Sequence, residues 1–399
     1  VKNTMLILVI NAGSSSLKFK LIDSDDASVL ATGLCERIGI DGAMTYKAGG
    51  KEMESKEAMP THKEAIAQVL SALTSEEYGV IKSMDEIGAV GHRVVHGGEE
   101  FAESAVITDE VKEAIKACIP LARLHNPANL TGIEACQEVM PDTPMVAVFD
   151  TAFHQTMPPE AYMYALPYEM YTKYKVRRYG FHGTSHDFVS SEAAKFLNKD
   201  IKDLKIITCH LGNGSSISAI KNGRCIENSM GMTPLAGVPM GTRCGDIDPA
   251  IHNYLHNADP DLSFEALDTM MNKESGVLGI SGVSSDFRDL DDAVEEGNER
   301  AKLALDMFNY AVRKYIGAYT AAMDGVDVIV FTAGVGENSS TVREAVLSGL
   351  SYLGVEIDPE QNKKRGETME ISTKDSKVRV LVIPTNEEYM IARETARLV

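Results

Sequence analysis

Near the front of the chain, apolar positions first run together and then alternate. Leu6 to Ile10 is unbroken apolar sequence, the pattern of a buried strand, and Leu17, Phe19 and Leu21 alternate with Lys18 and Lys20 as in a half-buried one. Between them lies Asn11-Ala-Gly-Ser-Ser-Ser16. The design recurs from Lys205 to Ile220: an apolar strand, a Gly/Asn/Ser turn and an alternating strand. Aligning Gly13 with Gly212 sets Ile7–Ile10 over Ile206–Cys209, Asn11 over His210 and Ser16 over Ser215. The copies start about 200 residues apart, so the chain reads as two related halves, each fronted by a hairpin.

The remaining periodicity predicts strands alternating with helices. Asp41–Lys56, Gly-rich and charged, reads as a surface β excursion. Thr61 and Glu64 have capping-box spacing and open a helix through Ala65, Val69 and Leu73. Ile87–Val95 reads as a buried strand, Thr108–Ile119 as a helix. Asn126 and Pro127 are the expected N-cap and first residue of another, which leaves His125 at its positive end. Met145–Phe149 is a strand ending at Asp150, and Pro158–Tyr174 is read as the crossing between halves. Thr184 or Ser185 is expected to cap a helix to Leu197. Met230–Asp248 is a long glycine-rich loop, of the kind usually functional. Glu299–Met323 is a helix whose expected core stripe is Leu303, Met307, Tyr310, Ala311 and Ile316. Val326–Thr332 is a strand, Ala333–Asn338 opens a helix, and Val378–Pro384 and Asn386–Leu398 are the last strand and helix. This order implies an α/β protein with a mixed sheet flanked by helices in each half.

Composition narrows the class. A chain of 399 residues suits two domains, and 44% apolar with 24% charged residues is ordinary for a soluble globular protein. A net charge of -19 argues against nucleic-acid or anionic-membrane partners. It also requires any phosphate site to concentrate its own cations. The six cysteines form no C-x-x-C pair and read as packed, reduced thiols of a cytoplasmic protein. Val1–Ile10 lacks the features of a signal peptide, and no apolar run reaches the ~18 residues of a membrane span.

Candidate chemistry gathers at strand ends. The Gly/Ser turn at 13–16 can direct N–H groups and hydroxyls at an anion, with Lys18 returning a positive charge. Arg93 ends one buried strand and Asp150 another, where α/β proteins place ligands. Gly334–Asn338 enters a helix N-terminus, which suits phosphate or sugar. There is no P-loop motif and no complete dinucleotide fingerprint, so neither that ATPase class nor NAD binding is expected. His92, His96, His154 and His186 lack zinc spacing and read as packing residues. Asp246 and Asp248 are expected to support Arg243.

Four segments, Val9–Phe19, Gly91–Gly98, Arg178–His186 and Thr385–Glu388, together resemble the acetate kinase family from the first strand to the last helix. The resemblance implies duplicated ribonuclease H-like (actin-like ATPase) domains, with 1–150 plus 385–399 as the N-terminal half and 151–384 as the nucleotide-binding half. It implies ATP/ADP, acetate and acetyl phosphate as substrates, Mg²⁺ with Mn²⁺ as the alternative ion, direct in-line transfer, a cytoplasmic enzyme and a homodimer. Asn11 and Glu387 would hold the metal. Lys18, His210, Leu211, Gly212, Asn213, Gly214, Asp286, Phe287, Arg288, Gly334, Val335, Gly336, Glu337 and Asn338 would contact ATP. Arg93, Val95, Leu124, His125, Phe181 and Pro234 would bind the acyl substrate. Asp150, Arg93, His182 and Arg243 would be catalytic. A carboxylic acid that titrates near its ordinary value of about 4.3 is already ionised at pH 7, so a general base is unnecessary and Asp150 is expected to orient Arg93 or a metal-bound water. A propionate or butyrate kinase is the nearest alternative. An Hsp70- or actin-type binding protein is the alternative of another class.

Overall fold

Leu6–Ala12 (β1) and Leu17–Asp23 (β2) pair antiparallel, with Ala12 opposite Leu17 and Asn11 opposite Lys18. The predicted alternation buries Leu17, Phe19 and Leu21 and leaves Lys18 exposed. In the computed structural model, residues 5–399 are described. Val1–Thr4, part of the stretch read above as lacking a signal peptide, lie outside the described residues.

The antiparallel ribbon continues through β3 (Val29–Glu36), β4 (Ala43–Ala48) and β5 (Lys51–Ser55). The predicted surface excursion is therefore an extension of the main sheet, and it buries Tyr46 completely. Next come α1 (His62–Leu73), β6 (Ile87–Val94), β7 (Ala105–Val106), α2 (Asp109–Ala117), α3 (Asn126–Val139) and β8 (Met145–Phe149). Thr61 and Glu64 form the capping box that starts α1. The eight strands are ordered β5-β4-β3-β2-β1-β6-β8-β7, with β6 parallel to β1 and β8 parallel to β6.

A second set of elements follows: α4 (Pro159–Tyr162), α5 (Tyr168–Tyr174), α6 (Gly183–Phe196), β9 (Lys205–Leu211), β10 (Ser215–Lys221) and β11 (Arg224–Asn228). The glycine-rich stretch from 229 to 249 forms neither helix nor strand. After it lie α7 (Ala250–Ala258), α8 (Phe264–Lys273), α9 (Gly276–Ser281), α10 (Phe287–Glu295), α11 (Glu299–Met323), β12 (Val328–Thr332), α12 (Ala333–Asn338), α13 (Ser340–Leu347), α14 (Pro359–Asn362), β13 (Met369–Glu370), β14 (Arg379–Val382) and α15 (Glu387–Leu398). The six strands from β9 to β14 are ordered β11-β10-β9-β12-β14-β13.

The chain divides into two compact units: the residues up to Gln155 together with Asn386–Val399, and Thr156–Thr385. Each has its own apolar core, and α15 packs Ile391 and Ala392 against Ile7, Val9 and Val148 of the first. Within each sheet five strands repeat one topology: β3-β2-β1-β6-β8 matches β11-β10-β9-β12-β14, two antiparallel pairings followed by two parallel ones. The repeat seen in the sequence is thus a repeat of fold.

Four expectations need correction. The first turn closes from Gly13 N–H to the Ser16 carbonyl, whereas the second closes from Gly212 N–H to Gly214 and is one residue shorter. Ser215 therefore pairs with Leu211 as Leu17 pairs with Ala12, and the strand counterpart of Lys18 is Ser216, not a residue one later. Asn126 is not a cap; its amide is buried and bridges His96 and the Ile115 carbonyl, and His125 stands at the cap position. His182, in left-handed backbone at φ 56°, precedes α6 in place of Thr184 or Ser185. On α11 Ile316 is buried as expected, but the rest of the stripe is rotated: Leu303, Met307 and Tyr310 are 51%, 41% and 60% exposed, while Ala304, Phe308, Val312 and Tyr319 are buried. An apolar-rich helix offers two phases at helical spacing, and packing decides which of them is buried.

Candidate active site

In the first unit the ends of β1 and β6 are fixed from one side by Asn129, whose amide donates to the Ala12 carbonyl at 3.0 Å and accepts from Val95 N–H at 3.0 Å. His62 Nε2 lies 2.7 Å from the Gly13 carbonyl and steadies the first turn. On the other side, Arg93 donates to Asp150 at two points, Nε to Oδ1 at 3.1 Å and NH2 to Oδ2 at 2.6 Å. Asp150 and, less strongly, Glu387 and Glu388 raise the pKa of Arg93, so its charge is secure. Of the two partners expected for Asp150, the structure shows Arg93, held at both carboxylate oxygens.

A cleft of 390 Å³ brings Asn11, Lys18 and Arg93 together with Glu387, the first residue of α15. Lys20, Lys47, Thr32, Thr45 and Glu388 also line it and were not read from the sequence as site residues. Burial pushes the Glu387 carboxyl up to about 7; Arg93 opposes that shift, while Asp150 and Glu388 reinforce it. A buried carboxylate crowded by two others gains from a cation. Among the described residues no group of three or more His, Cys, Asp or Glu side chains could form a metal cage. An amide oxygen and one carboxylate fit an ion such as Mg²⁺, which takes much of its coordination from water and phosphate. Val95 is buried, whereas Leu124 is 71% exposed and His125 is also exposed. Ser14 and Ser15 stand exposed in the first turn.

In the second unit His182 just before α6, His186 on α6 and His210 on β9 sit together. The rings of His182 and His210 stack at 4.1 Å between centroids. Ser185 Oγ lies 2.8 Å from His210 Nδ1 and 2.7 Å from Thr385 Oγ1, which explains why Ser185 is unavailable as a cap. Arg243 donates to the Pro234 carbonyl at 3.0 Å, and burial lowers its pKa. A Cβ built on Gly214 would lie 3.4 Å from His182 Nε2 and 3.6 Å from an Arg243 terminal nitrogen, so both side chains converge on that turn. Phe181 is buried beside His182 in sequence.

Asp246 and Asp248 do not support Arg243 directly. Asp246 accepts from Gly237 N–H and from the Tyr315 hydroxyl, and Asp248 accepts from Ala250 N–H at the start of α7.

A separate cleft of 720 Å³ is lined by Gly212, Asn213, Asp286, Phe287, Arg288, Gly334, Val335 and Asn338. Ser285, Asp291, Ser339 and Arg365 join them and carried no motif that would have marked them. Gly334 has open space where a side chain would stand. Arg288 holds the Asp286 carboxyl down at about 2 through a two-point pair. The Phe287 ring packs on Phe308 in the core. His210, Leu211, Gly214, Gly336 and Glu337 lie outside the lining. Glu337 accepts from Thr385 N–H, and the Gly336 carbonyl accepts from Arg343.

The profile of the acetokinase family matches residues 6–393. The chain belongs to the acetokinase family. An acetate kinase of Clostridium botulinum (strain 657 / Type Ba4) is 62% identical over 395 residues, 99% of each chain. That of Thermoanaerobacterium thermosaccharolyticum is 62% identical over 397 residues, again 99% of each. Among solved structures, the acetate kinase of Porphyromonas gingivalis superposes with a TM-score of 0.96 at 50% identity, covering 99% of both chains. A propionate kinase of Francisella tularensis gives 0.92 at 43% identity, covering 99% of this chain and 100% of the other. The two mixed sheets flanked by helices are accordingly the duplicated actin-like ATPase fold that the acetokinase family shares.

Proposed function

We propose that the protein is an acetate kinase, catalysing reversible phosphoryl transfer between ATP and acetate to give acetyl phosphate and ADP. The observation that carries the reading at the level of residues is the Arg93–Asp150 pair in a cleft with Asn11, Lys18 and Glu387.

Phosphoryl transfer asks for positioning and charge stabilisation rather than covalent chemistry. The acetate carboxylate is ionised at neutral pH, so the protein needs no base to activate it. Arg93 presents a planar fork that suits a carboxylate or a phosphoryl oxygen, and Asp150 fixes the plane of that fork. Asp150 spends both oxygens on Arg93, which makes it a positioning residue. His182 and Arg243 donate to the oxygens of the phosphoryl in flight, and Lys18 adds positive charge. The 720 Å³ cleft takes the nucleotide, with Gly334 admitting close approach. Asn11 and Glu387 would hold Mg²⁺ or Mn²⁺, which when bound offsets phosphate charge. Val95, Leu124, Phe181 and Pro234 form the acyl-binding set, transfer is direct and in line, and the working enzyme is a cytoplasmic homodimer.

ADP release measured with acetate, propionate and butyrate as acceptors tests this reading. Acetate should give the highest kcat/KM, by roughly tenfold or more for each added methylene. A preference for propionate would move the assignment to that kinase, and no acceptor-dependent ADP would defeat it.

A further inference from the structure

His182 is joined to a buried chain of polar groups that ends on β9. Its Nδ1 lies 2.9 Å from Ser216 Oγ, that oxygen lies 2.7 Å from His186 Nε2, and His186 Nδ1 lies 2.6 Å from Thr208 Oγ1. His186, Thr208 and Ser216 have no exposed surface, so solvent does not complete their hydrogen bonds. With neutral imidazoles and each contact occupied by one proton, the series can run in two directions.

In the first, the Thr208 hydroxyl donates to His186 Nδ1, His186 Nε2–H donates to Ser216 Oγ, and the Ser216 hydroxyl donates to His182 Nδ1. In the second every step is reversed, and the Thr208 hydroxyl proton has no acceptor, because His186 is the side-chain partner of that oxygen. A buried donor without an acceptor is the costlier arrangement. The first direction therefore wins, and it leaves the His182 proton on Nε2.

We infer that Thr208, His186 and Ser216 form a directional relay that fixes His182 as the Nε2–H tautomer, and that all three are positioning residues for phosphoryl transfer. The geometry at the other end agrees: His182 Nε2 faces the turn at Gly214 beside the Arg243 guanidinium. Phosphoryl oxygens in flight carry negative charge, so a donor there is stabilising and a lone pair repulsive. Ser216 occupies the register position that Lys18 holds in the first sheet. Where the first hairpin offers a charge directly, the second offers a hydroxyl that directs a histidine.

The inference rests on the proposed role of His182, but the tautomer belongs to the resting protein and is read without turnover. Long-range ¹⁵N–¹H NMR on ring-labelled full-length protein should show His182 with a bare Nδ1 and a protonated Nε2. Ser216→Ala, which deletes the hydroxyl that donates to His182 Nδ1, should release His182 from that single tautomer. It should also lower kcat roughly 10- to 100-fold with little change in KM for ATP or acetate. Ser216→Thr, which keeps the hydroxyl, should retain both. A wild-type His182 protonated on Nδ1 would overturn the relay, as would Ser216→Ala with the tautomer and kcat unchanged. Loss of acetate turnover in the parent protein with the Nε2–H signature intact would count against the proposed reaction while supporting the relay.

Discussion

The guanidinium of Arg93 and the carboxylate of Asp150 meet at two points, yet the side chain of Arg93 is 30% exposed and that of Asp150 only 3%. The acid is therefore the buried anchor and the base the part that faces the cleft. Asp150→Asn should cut kcat/KM for acetate by roughly 100-fold, because a misplaced fork costs orientation. Arg93→Lys should do at least as much, since an ammonium cannot make the two-point contact. The loss in stability should be modest, about 1–2 kcal/mol, because Arg93 remains partly solvated. Acetate titrations and thermal melts of the two variants check this. Wild-type turnover by Asp150→Asn beside an inactive Arg93→Ala would remove Asp150 from the mechanism.

Gly214 separates chemistry from stability. A methyl there would clear its neighbours at 3.4 Å or more, and the glycine is not in the left-handed region. It would nevertheless stand against His182 Nε2 and Arg243, where a phosphoryl group would pass. Gly214→Ala should melt within about 1 kcal/mol of the parent, as surface substitutions do, and lose roughly 100-fold in kcat. Equal loss of folding and activity would show that the turn is structural.

Much of this could be read from the chain because pattern and chemistry coincide at strand ends. The hairpins at 6–23 and 205–221 carry the repeat, and Arg93 and Asp150 lie at the ends of β6 and β8, both predicted as buried strands. What was missed depends on partners far apart in sequence. Ser185 has the composition of a cap, but His210 and Thr385 take its hydroxyl. Asn126 likewise sits before a proline, but His96 takes its amide. The stripe on α11 failed for a different reason: Leu303, Met307 and Tyr310 fit the helical period as well as the buried set does, and only packing chooses between them. Ser285, Asp291, Ser339 and Arg365 enter the second cleft through folding alone.

Arg343 is another such residue, with no motif and no exposed surface. It donates to the carbonyls of Gly336 and Glu337 at 2.9 Å, to Asn362 Oδ1 at 2.8 Å, and to the carbonyls of Asn362 and Lys364. Burial pushes its pKa down to about 10. It ties α12, which begins at the 720 Å³ cleft, to the end of α14. Arg343→Lys should destabilise the protein by about 3 kcal/mol, since an ammonium cannot reach so many acceptors. It should raise KM for ATP several-fold before it changes KM for acetate. Denaturant melts and paired substrate titrations test both parts. An unchanged KM for ATP in the folded variant would confine Arg343 to stability.

His92 gives acid sensitivity to the first unit. It is buried on β6, on the side shared with Val90 and Val94 by strand alternation, and its Nε2 has no hydrogen-bond partner among the described residues. Burial lowers its pKa from 6.5 to about 3. The sign follows from proton counting: below pH 6.5 the unfolded chain binds a proton at this site, and the folded one does not until about pH 3. The stability from His92 is thus complete above pH 6.5 and declines as pH falls toward 3, by up to about 1.4 kcal/mol per pH unit. His92→Leu keeps the site apolar and removes the titration. Urea melts at pH 7, 6, 5 and 4 should show the parent losing stability faster than the variant, with the gap widening at each step. Parallel curves would mean that the imidazole titrates alike in both states.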